Sequence, residues 1–382
     1  MLMGESAGTA TDALLTEAER GCRCAMPESK TEQRRLSRLV ESGDLVRPRR
    51  SLYARRSYWQ DLSRTEKYLH QVRALGNWHP QWIFCGPTAA ILHELDVPYA
   101  LLDEIHVTCD GEPRSRRRNG VHFHQIKYPD VVSVGQLRAT SVPRTLVDCL
   151  RVLGFTYGLA IADSGVRKLG WNARQLVGYL EAVKKMGLVR GLDHAIRTAS
   201  YADGRAENGG ESIARASVIR LGRMVPELQA WVDDPVTEGR AYRVDFLWLE
   251  GDEPLAVGEL DGIDKYLPDI EHPDRSMQKE IYKEKMRESH IGAYGVKLMR
   301  FSFDDAFHPL QLDALLQAYG IPRVGPRQEE PPINPNMSGL MHLKSGWLVR
   351  CEADGHMALK YVEPDEPMPE KMPWSLPRRL GE

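Results

Sequence analysis

The stretch "AYRVDFLWLEGDEPLAVGELDG", residues 241–262, contains two apolar runs separated by a short acidic turn. Each run has the length and the aromatic or β-branched content of a strand, and the turn "EGDE" is short enough to join the two as an antiparallel hairpin. Because side chains alternate along a strand, Val244, Phe246 and Trp248 are predicted on one face and Asp245 on the other. The hairpin therefore predicts a sheet with a carboxylate on one face.

Three carboxylates are predicted to converge on this hairpin. Glu259 and Asp261 share one face of the second strand, and antiparallel pairing brings Asp245 beside them. Like charges at short distance repel, so the cluster needs a proton or a cation. Carboxylate oxygens favour Mg²⁺, with Mn²⁺ as the alternative, and Lys265 just past the strand could orient an attacking water. The predicted metal ligands are Asp245, Glu259 and Asp261.

Each of these residues also has a purely structural interpretation. Asp245 could cap a turn, and Glu259 and Asp261 could form the solvated face of an antiparallel sheet. Lys265 could be a salt-bridge partner worth less than about 1 kcal/mol. The metal site is favoured because the four positions occur together in one order of elements.

The elements around the hairpin complete that order. The helix "GGESIARASVIRLGRM" carries Glu211 and Arg215 four residues apart and precedes the hairpin. The helix "MQKEIYKEKMRESHIGAYG" and the strand "VKLMRFSF" follow it. We predict that Lys285 and Arg287 on this helix contact a nucleic-acid backbone, with Arg300 on the strand as a weaker candidate.

This arrangement resembles the PD-(D/E)XK nuclease superfamily, particularly the restriction-endonuclease-like domain related to very-short-patch repair endonucleases. The resemblance covers about residues 205–322. It implies catalytic roles for residues in three matching motifs, which are Glu211 in "GGES", Asp245 in "VDF" and Glu259 in "GELDG". Asp261 occupies the position of the E-x-K lysine, and a "GE-x-DG-x-x-KY" form makes Lys265, followed by Tyr266, the displaced catalytic lysine.

The N-terminal residues predict a basic DNA-binding unit. "ESKTEQRRLSRLVESGDL" has helical spacing, and "LVRPRRSLYARR" predicts two strands around a tight turn. Helix, helix and basic hairpin is the order of a winged helix, whose arginines hold phosphates. The alternative is a solvated helix face and a charged edge strand that resists aggregation. The predicted contacts with DNA are Arg34, Arg35, Arg38, Arg47, Arg49 and Arg50.

Residues 61–204 predict a mixed α/β region. With the basic unit, the motifs "GPTAAILHELDV", "TSVPRTLVDCLR" and "GLAIADSGVR" resemble the AbiEi family of type IV antitoxins over roughly residues 10 to 170. The resemblance implies a DNA-binding N-terminal domain and a second α/β domain. His122 and His124 in "HFH" could bind a metal from one strand face, but a polar strand face is favoured because no third ligand is in view.

The whole chain predicts an α/β multidomain protein. Its 382 residues are 42% hydrophobic and 27% charged, with a formal net charge of −2. No apolar run approaches the roughly 18 residues of a membrane span, and no secretion signal is found, so we expect a cytoplasmic protein without a membrane partner. The predicted domains are a winged helix (1–60), an AbiEi-like α/β domain (61–204), a restriction-endonuclease-like α/β domain (205–322) and a Pro-rich linker with a hairpin (323–382).

Two functions follow from these expectations. The first is Mg²⁺-dependent hydrolysis of DNA by an endonuclease that a winged helix targets. The alternative is an antitoxin-like transcriptional repressor with an inactive nuclease-like domain, and a toxin is a possible partner that would favour this alternative. RNA stays open as a substrate, because metal-bound carboxylates can attack either backbone.

Overall fold

The computed structural model describes residues 2–108, 116–126, 130–186, 191–261, 275–293, 295–328, 347–351 and 357–361. The chain divides into two compact units. One comprises Met1–Val152, Val177–Ile196 and Pro335–Glu382, and the other comprises Leu153–Leu176 and Arg197–Asn334. The protein is thus a mixed α/β chain of more than one unit. This division is coarser than the four predicted domains, whose boundaries stay predictions.

The first unit begins with two helices and a hairpin, followed by two further helices. They are α1 (Leu2–Arg20), α2 (Lys30–Glu41), β1 (Leu45–Arg49), β2 (Leu52–Arg55), α3 (Arg56–Asp61) and α4 (Arg64–Trp78). Ser29 caps α2 by accepting a hydrogen bond from the main-chain nitrogen of Glu32. The strands β1 and β2 pair antiparallel across Arg50 and Ser51, as the sequence predicts. Leu36 packs with residues of α1, β1 and β2 in a small separate core.

In the described residues, six strands then form one mixed sheet in the order β5-β6-β4-β3-β8-β7. The elements in chain order are β3 (Ile83–Phe84), α5 (Gly86–Leu92), β4 (Ile105–Thr108), β5 (Arg116–Arg118), β6 (Val121–Phe123), β7 (Val131–Val134), β8 (Leu137–Thr140) and α6 (Val142–Leu150). The pairs β4–β6 and β3–β8 are parallel, and the other pairs are antiparallel. The core contains apolar residues of α4, α5 and this sheet.

The second unit holds the predicted hairpin. Its first helix is α7 (Phe155–Leu169), and α8 (Ala173–Lys185) and α9 (Leu192–Ala199) fall across the division between the units. The remaining elements are α10 (Gly209–Arg220), β9 (Glu227–Asp233), β10 (Ala241–Glu250), β11 (Glu253–Asp261), α11 (Arg275–Gly292), β12 (Lys297–Ser302), α12 (Phe303–Phe307) and α13 (Pro309–Ala318). Helix α7 carries Asp163, and both of its carboxylate oxygens lie 2.8 Å from Nη2 of Arg215 in α10.

The sheet of the second unit has the order β12-β11-β10-β9 among the described residues. The strands β9, β10 and β11 pair antiparallel, and β12 pairs parallel to β11 after the crossover helix α11. The order of helix, hairpin, helix and strand was predicted, and β9 is an additional strand. The sequence "ELQAWVD" of β9 was not assigned beforehand.

The predicted alternation in β10 is wrong at one position. Phe246 and Trp248 pack in the core with α10, as expected of neighbours on one face. Val244 instead packs on the other face, with Leu247. The faces change at Asp245, where the hydrogen-bonded ladder with β9 runs from Val244 directly to Phe246. Gln229 lies opposite Asp245 in β9 and has a left-handed backbone, so the irregularity is local to this pair and the register of the two strands does not shift.

At the C-terminal end, the strands β13 (Trp347–Cys351) and β14 (Met357–Tyr361) pair antiparallel. The sequence predicts a hairpin in this segment. None of the helices in the described part of the chain combines the length and the apolar character that crossing a bilayer requires.

Candidate functional site

Glu211 lies in the first turn of α10 and is only 2% exposed. Its carboxylate accepts hydrogen bonds from Asn208 Nδ2 at 2.7 Å and from the main-chain nitrogen of Glu207 at 2.9 Å. Burial raises the pKa of Glu211, hydrogen bonds from Glu207 and Gln229 oppose that shift, and the charge of Asp245 adds to it. A helix N-terminus favours the charged form of such a side chain. Glu211 is therefore a buried acid whose carboxylate is held in place by several hydrogen-bond donors.

Gln229 joins Glu211 to Asp245. Its Nε2 lies 2.9 Å from Oε2 of Glu211 and 3.3 Å from Oδ1 of Asp245, so one amide donates to both carboxylates. The backbone φ of Gln229 is 51°, in the left-handed region that residues other than glycine rarely adopt. Strain of this kind is maintained only where surrounding structure fixes the residue. The fold thus holds a hydrogen-bond donor between two acids.

Asp245 also connects the two strands of the hairpin. Its Oδ2 accepts a hydrogen bond from the main-chain nitrogen of Leu260 at 3.0 Å. Leu260 lies between Glu259 and Asp261 in β11, so this bond anchors the acidic part of that strand to β10. Both oxygens of Asp245 therefore have donors. The carboxylate has a structural role in addition to any chemical one.

The two acids of β11 are each paired with an arginine. Oε1 of Glu259 lies 2.5 Å from Nη2 of Arg287 in α11. Asp261 accepts from Nη1 of Arg300 at 3.1 and 3.2 Å. Nε of the same arginine lies 2.6 Å from Oε1 of Glu288. Arginine side chains therefore neutralise the acidic face of β11.

The structure does not bring all of the predicted metal ligands together. In the described part of the chain, the one group of three His, Cys, Asp or Glu side chains with donor atoms all within 4.8 Å consists of histidines. Asp245, Glu259 and Asp261 do not form such a group there. The structure instead brings Glu211 to Asp245 through Gln229. Lys265 and Tyr266 lie outside the described residues.

A cleft with a volume of about 630 Å³ opens beside Gln229. Trp231 at its wall is 69% exposed and pairs across the sheet with Arg243. Arg243 forms an ion pair with Glu207. The complete lining consists of Arg167, Gly204, Arg205, Ala206, Glu207, Gln229, Trp231 and Arg243. An exposed aromatic ring next to guanidinium groups is a surface on which a base and a phosphate can bind.

The two residues of α11 that are predicted to contact a nucleic-acid backbone differ in exposure. Lys285 is exposed and available to a ligand. Arg287 is half-buried, and besides Glu259 it donates to the main-chain oxygen of Arg243. A phosphate that accepted from the same Nη2 of Arg287 would compete with Glu259 for it.

The arginines of the first unit fall into two groups. Arg49 is turned inward, because Nε donates to Gln71 Oε1 at 2.7 Å, Nη1 to the oxygen of Gly120 at 3.0 Å and Nη2 to the oxygen of Asp103 at 2.6 Å. Burial lowers the pKa of Arg49. Arg35 is half-buried. The exposed members of the predicted set are Arg34, Arg38, Arg47 and Arg50.

Sequence reasoning missed Gln229 and Trp231. The alternation in "ELQAWVD" could have indicated the strand, but it could not have indicated the left-handed backbone of Gln229. The exposure of Trp231 depends on which face of the sheet helices cover. Neither property has a local signal in the sequence.

Comparison with known proteins finds two uncharacterized proteins of Mycobacterium tuberculosis, one from strain CDC 1551 / Oshkosh and one from strain ATCC 25618 / H37Rv. Each is 31% identical over 166 residues, which are 44% of this chain and 58% of the relative. The chain thus spans a little over half the length of these relatives. No protein family matches the chain, and no solved structure does. Function must therefore be argued from the site.

Proposed function

We propose that this chain is a Mg²⁺-dependent DNA endonuclease whose active site contains Glu211, Asp245 and Glu259. The observation that carries the proposal is the bridge through Gln229 Nε2, which lies 2.9 and 3.3 Å from oxygens of Glu211 and Asp245. Two carboxylate oxygens around one shared donor suit Mg²⁺, which usually binds one or two carboxylates and keeps several waters. The two carboxylates therefore fit the ion in kind, whereas Glu211, Asp245 and Glu259 do not form a group of three with oxygens within 4.8 Å of one another in the described residues.

Each residue has a distinct part in this proposal. Glu211 and Asp245 would bind the ion with their oxygens now bonded to Gln229, whose amide would then hydrogen-bond one of its waters. Glu259 would add a third oxygen when Arg287 turns from it to the substrate phosphate. The bound ion would supply a water of lowered pKa and offset the charge that develops on the phosphate. Asp261 would stay with Arg300 and fix the end of β11.

The cleft and the N-terminal unit supply surfaces for nucleic acid. Trp231 and Arg243 offer a stacking face and a positive charge beside Gln229. In the first unit, we interpret the two helices and the hairpin as a winged helix with the exposed arginines Arg34, Arg38, Arg47 and Arg50. Phosphate contacts of this kind give affinity without base specificity.

The test is a cleavage assay with supercoiled, linear, mismatched and single-stranded DNA, and with single-stranded RNA, in Mg²⁺ or Mn²⁺. We expect cleavage of DNA that a chelator abolishes and that Glu211→Gln abolishes. Glu250→Gln is the matched control, because Glu250 is an exposed acid on β10. Folded wild-type protein that cuts none of the DNA substrates would overturn the proposal. Cleavage of RNA alone would replace DNA as the substrate.

A second function has its own supporting observation. Arg287 forms an ion pair with Glu259, and Arg300 forms one with Asp261. This closed arrangement favours a DNA-binding repressor in which the nuclease-like domain is inactive. Such a protein would bind DNA from its own upstream region with a steep salt dependence. A gel-shift assay with and without Mg²⁺ distinguishes the two functions, because the repressor binds DNA that stays intact.

A further inference from the structure

Three buried histidines meet on one face of the six-stranded sheet. The strands β4 and β6 pair in parallel, and in this pairing His106 in β4 lies opposite His122 in β6. His124 follows two residues after His122 and so points to the same side. Their exposed fractions are 3%, 3% and 1%. The interpretation of "HFH" as a polar strand face is therefore wrong, because strand pairing supplies the third histidine and burial removes all three from water.

The geometry is close to that of a metal site. Each histidine offers one ring nitrogen, and the three nitrogens lie within 4.8 Å of one another. Nδ1 of His106 is 2.9 Å from Nε2 of His124, and the ring centroids of His122 and His124 are 3.9 Å apart. Nitrogens bound to one zinc ion at 2.0–2.1 Å stand about 3.3 Å apart in a tetrahedral site. The 2.9 Å between the ring nitrogens of His106 and His124 is close to that spacing.

The buried rings also leave a polar atom to be satisfied. Among the described residues, Nδ1 of His124 has no hydrogen-bond partner although it is buried. A buried ring nitrogen without a partner is unfavourable, and such atoms are uncommon in folded proteins. The lone pair of a neutral imidazole nitrogen is the group that binds a metal ion.

The surroundings of the triad resemble the outer shell of a metal site. Nδ1 of His122 lies 3.7 Å from Oε2 of Glu104, which leaves its Nε2 as a ligand atom. Glu104 is in turn paired with Nε of Arg117 at 3.0 Å. Metal-bound histidines commonly pass their other N–H to a carboxylate, which fixes the ring. At 3.7 Å the contact is longer than a hydrogen bond, so Glu104 acts on the ring of His122 as a nearby charge, and it also offsets the charge of Arg117.

We propose that His106, His122 and His124 bind one divalent transition-metal ion of the zinc type, independently of the carboxylates of the second unit. Neutral imidazole ligands favour Zn²⁺ and its neighbours Co²⁺, Ni²⁺ and Cu²⁺, whereas Mg²⁺ prefers oxygen. Bound to β4 and to the end of β6, the ion cross-links two neighbouring strands. The site stabilises the first unit and takes no part in the chemistry of the second.

The test uses metal-free full-length protein titrated with Co²⁺, whose visible absorption reports nitrogen ligation, followed by displacement with Zn²⁺. We expect one equivalent to bind in the presence of excess Mg²⁺, and at least about 100-fold weaker binding in His106→Gln and in His124→Gln. His93→Gln is the control, because His93 is buried in the same unit but bonds to the main-chain oxygen of Thr140. It should bind like wild type.

Failure of folded wild-type protein to bind an equivalent would overturn the proposal, as would equal binding in the triad variants. If those variants do not fold, ¹⁵N spectra of the wild-type histidine rings decide the matter. Zn²⁺ should shift the ring nitrogens of three histidines, and spectra unchanged by Zn²⁺ would refute the site. Loss of DNA cleavage in Glu211→Gln with Co²⁺ binding retained would separate this site from the proposed nuclease site.

Discussion

Replacing Asp245 with asparagine separates metal binding by this carboxylate from its role in the sheet. Oδ2 accepts from the main-chain nitrogen of Leu260 at 3.0 Å, and Oδ1 accepts from Gln229 Nε2 at 3.3 Å. Asparagine keeps one oxygen that can accept the bond from Leu260, so the link between β10 and β11 survives. It removes the negative charge and places an amide where the second oxygen was. The shape of the site is preserved and its affinity for a cation is reduced.

The expected effects of the substitution on the free energy of unfolding and on the cleavage rate differ enough to be distinguished. A single net hydrogen bond is worth about 0.5–1.5 kcal/mol, so Asp245→Asn should lower the free energy of unfolding by no more than that. Asp245→Ala would leave the nitrogen of Leu260 without its partner, at a cost of about 1–3 kcal/mol. A metal contributes several kcal/mol to the transition state, and about 1.4 kcal/mol is a factor of ten in rate. We therefore expect the Asn variant to cut at least about 100-fold more slowly.

The assay compares wild type, Asp245→Asn and Glu250→Gln in two measurements. Denaturant unfolding gives the free energy of unfolding, and single-turnover nicking of supercoiled plasmid over a range of Mg²⁺ concentrations gives the rate. Glu250→Gln should match wild type in both. A folded Asp245→Asn protein whose rate at saturating Mg²⁺ is within about threefold of wild type would refute the assigned role.

Three further predictions concern other parts of the molecule. Arg50→Ala should weaken DNA binding in a gel shift while changing stability by less than about 0.5 kcal/mol, because Arg50 is exposed. Arg49→Ala should lower stability, because three protein acceptors lose their donor, and equal stability of the two variants in denaturant would contradict this contrast. Trp231→Ala should weaken binding of single-stranded DNA by about 1–3 kcal/mol through lost stacking, and unchanged fluorescence anisotropy would exclude that role. Burial raises the pKa of Asp130 from 3.8 to about 6. The folded protein therefore binds this proton more tightly than the unfolded chain does, which stabilises the fold below pH 4. That contribution, on the order of 3 kcal/mol, is lost as pH rises through 6. The melting temperature of Asp130→Asn should therefore rise relative to that of wild type between pH 4 and 6. A constant difference between the two melting temperatures over this range would contradict the raised pKa of Asp130.

Local signals in the sequence predicted the elements well. The helical spacing in "ESKTEQRRLSRLVESGDL" predicted a helix where the structure has α2 (Lys30–Glu41). The turn at Gly251 and Asp252 joins β10 to β11 because two apolar runs flank a short polar segment. Glu259 and Asp261 were identified as neighbours on one strand for the same reason. Each of these inferences depends on residues only a few positions apart.

The partners of the site residues were not predictable in this way. The expected cluster was Asp245 with Glu259 and Asp261, whereas Gln229 connects Asp245 to Glu211. Arg287, which is predicted to contact nucleic acid, forms an ion pair with Glu259 that the sequence does not indicate. These contacts depend on strand register and on how helices pack on the sheet, which involve residues far apart in the chain.

The amino-acid order predicted the helix before the β10–β11 hairpin, the hairpin itself and the acidic character of β11, because hydrophobic period and turn chemistry act over a few residues. Three-dimensional packing decided which side chains meet. A left-handed residue at Gln229 accompanies the change of faces at Asp245, and parallel pairing of β4 with β6 adds His106 to His122 and His124. Both outcomes arise from pairing between separate strands, where one step of register exchanges the two faces of a sheet.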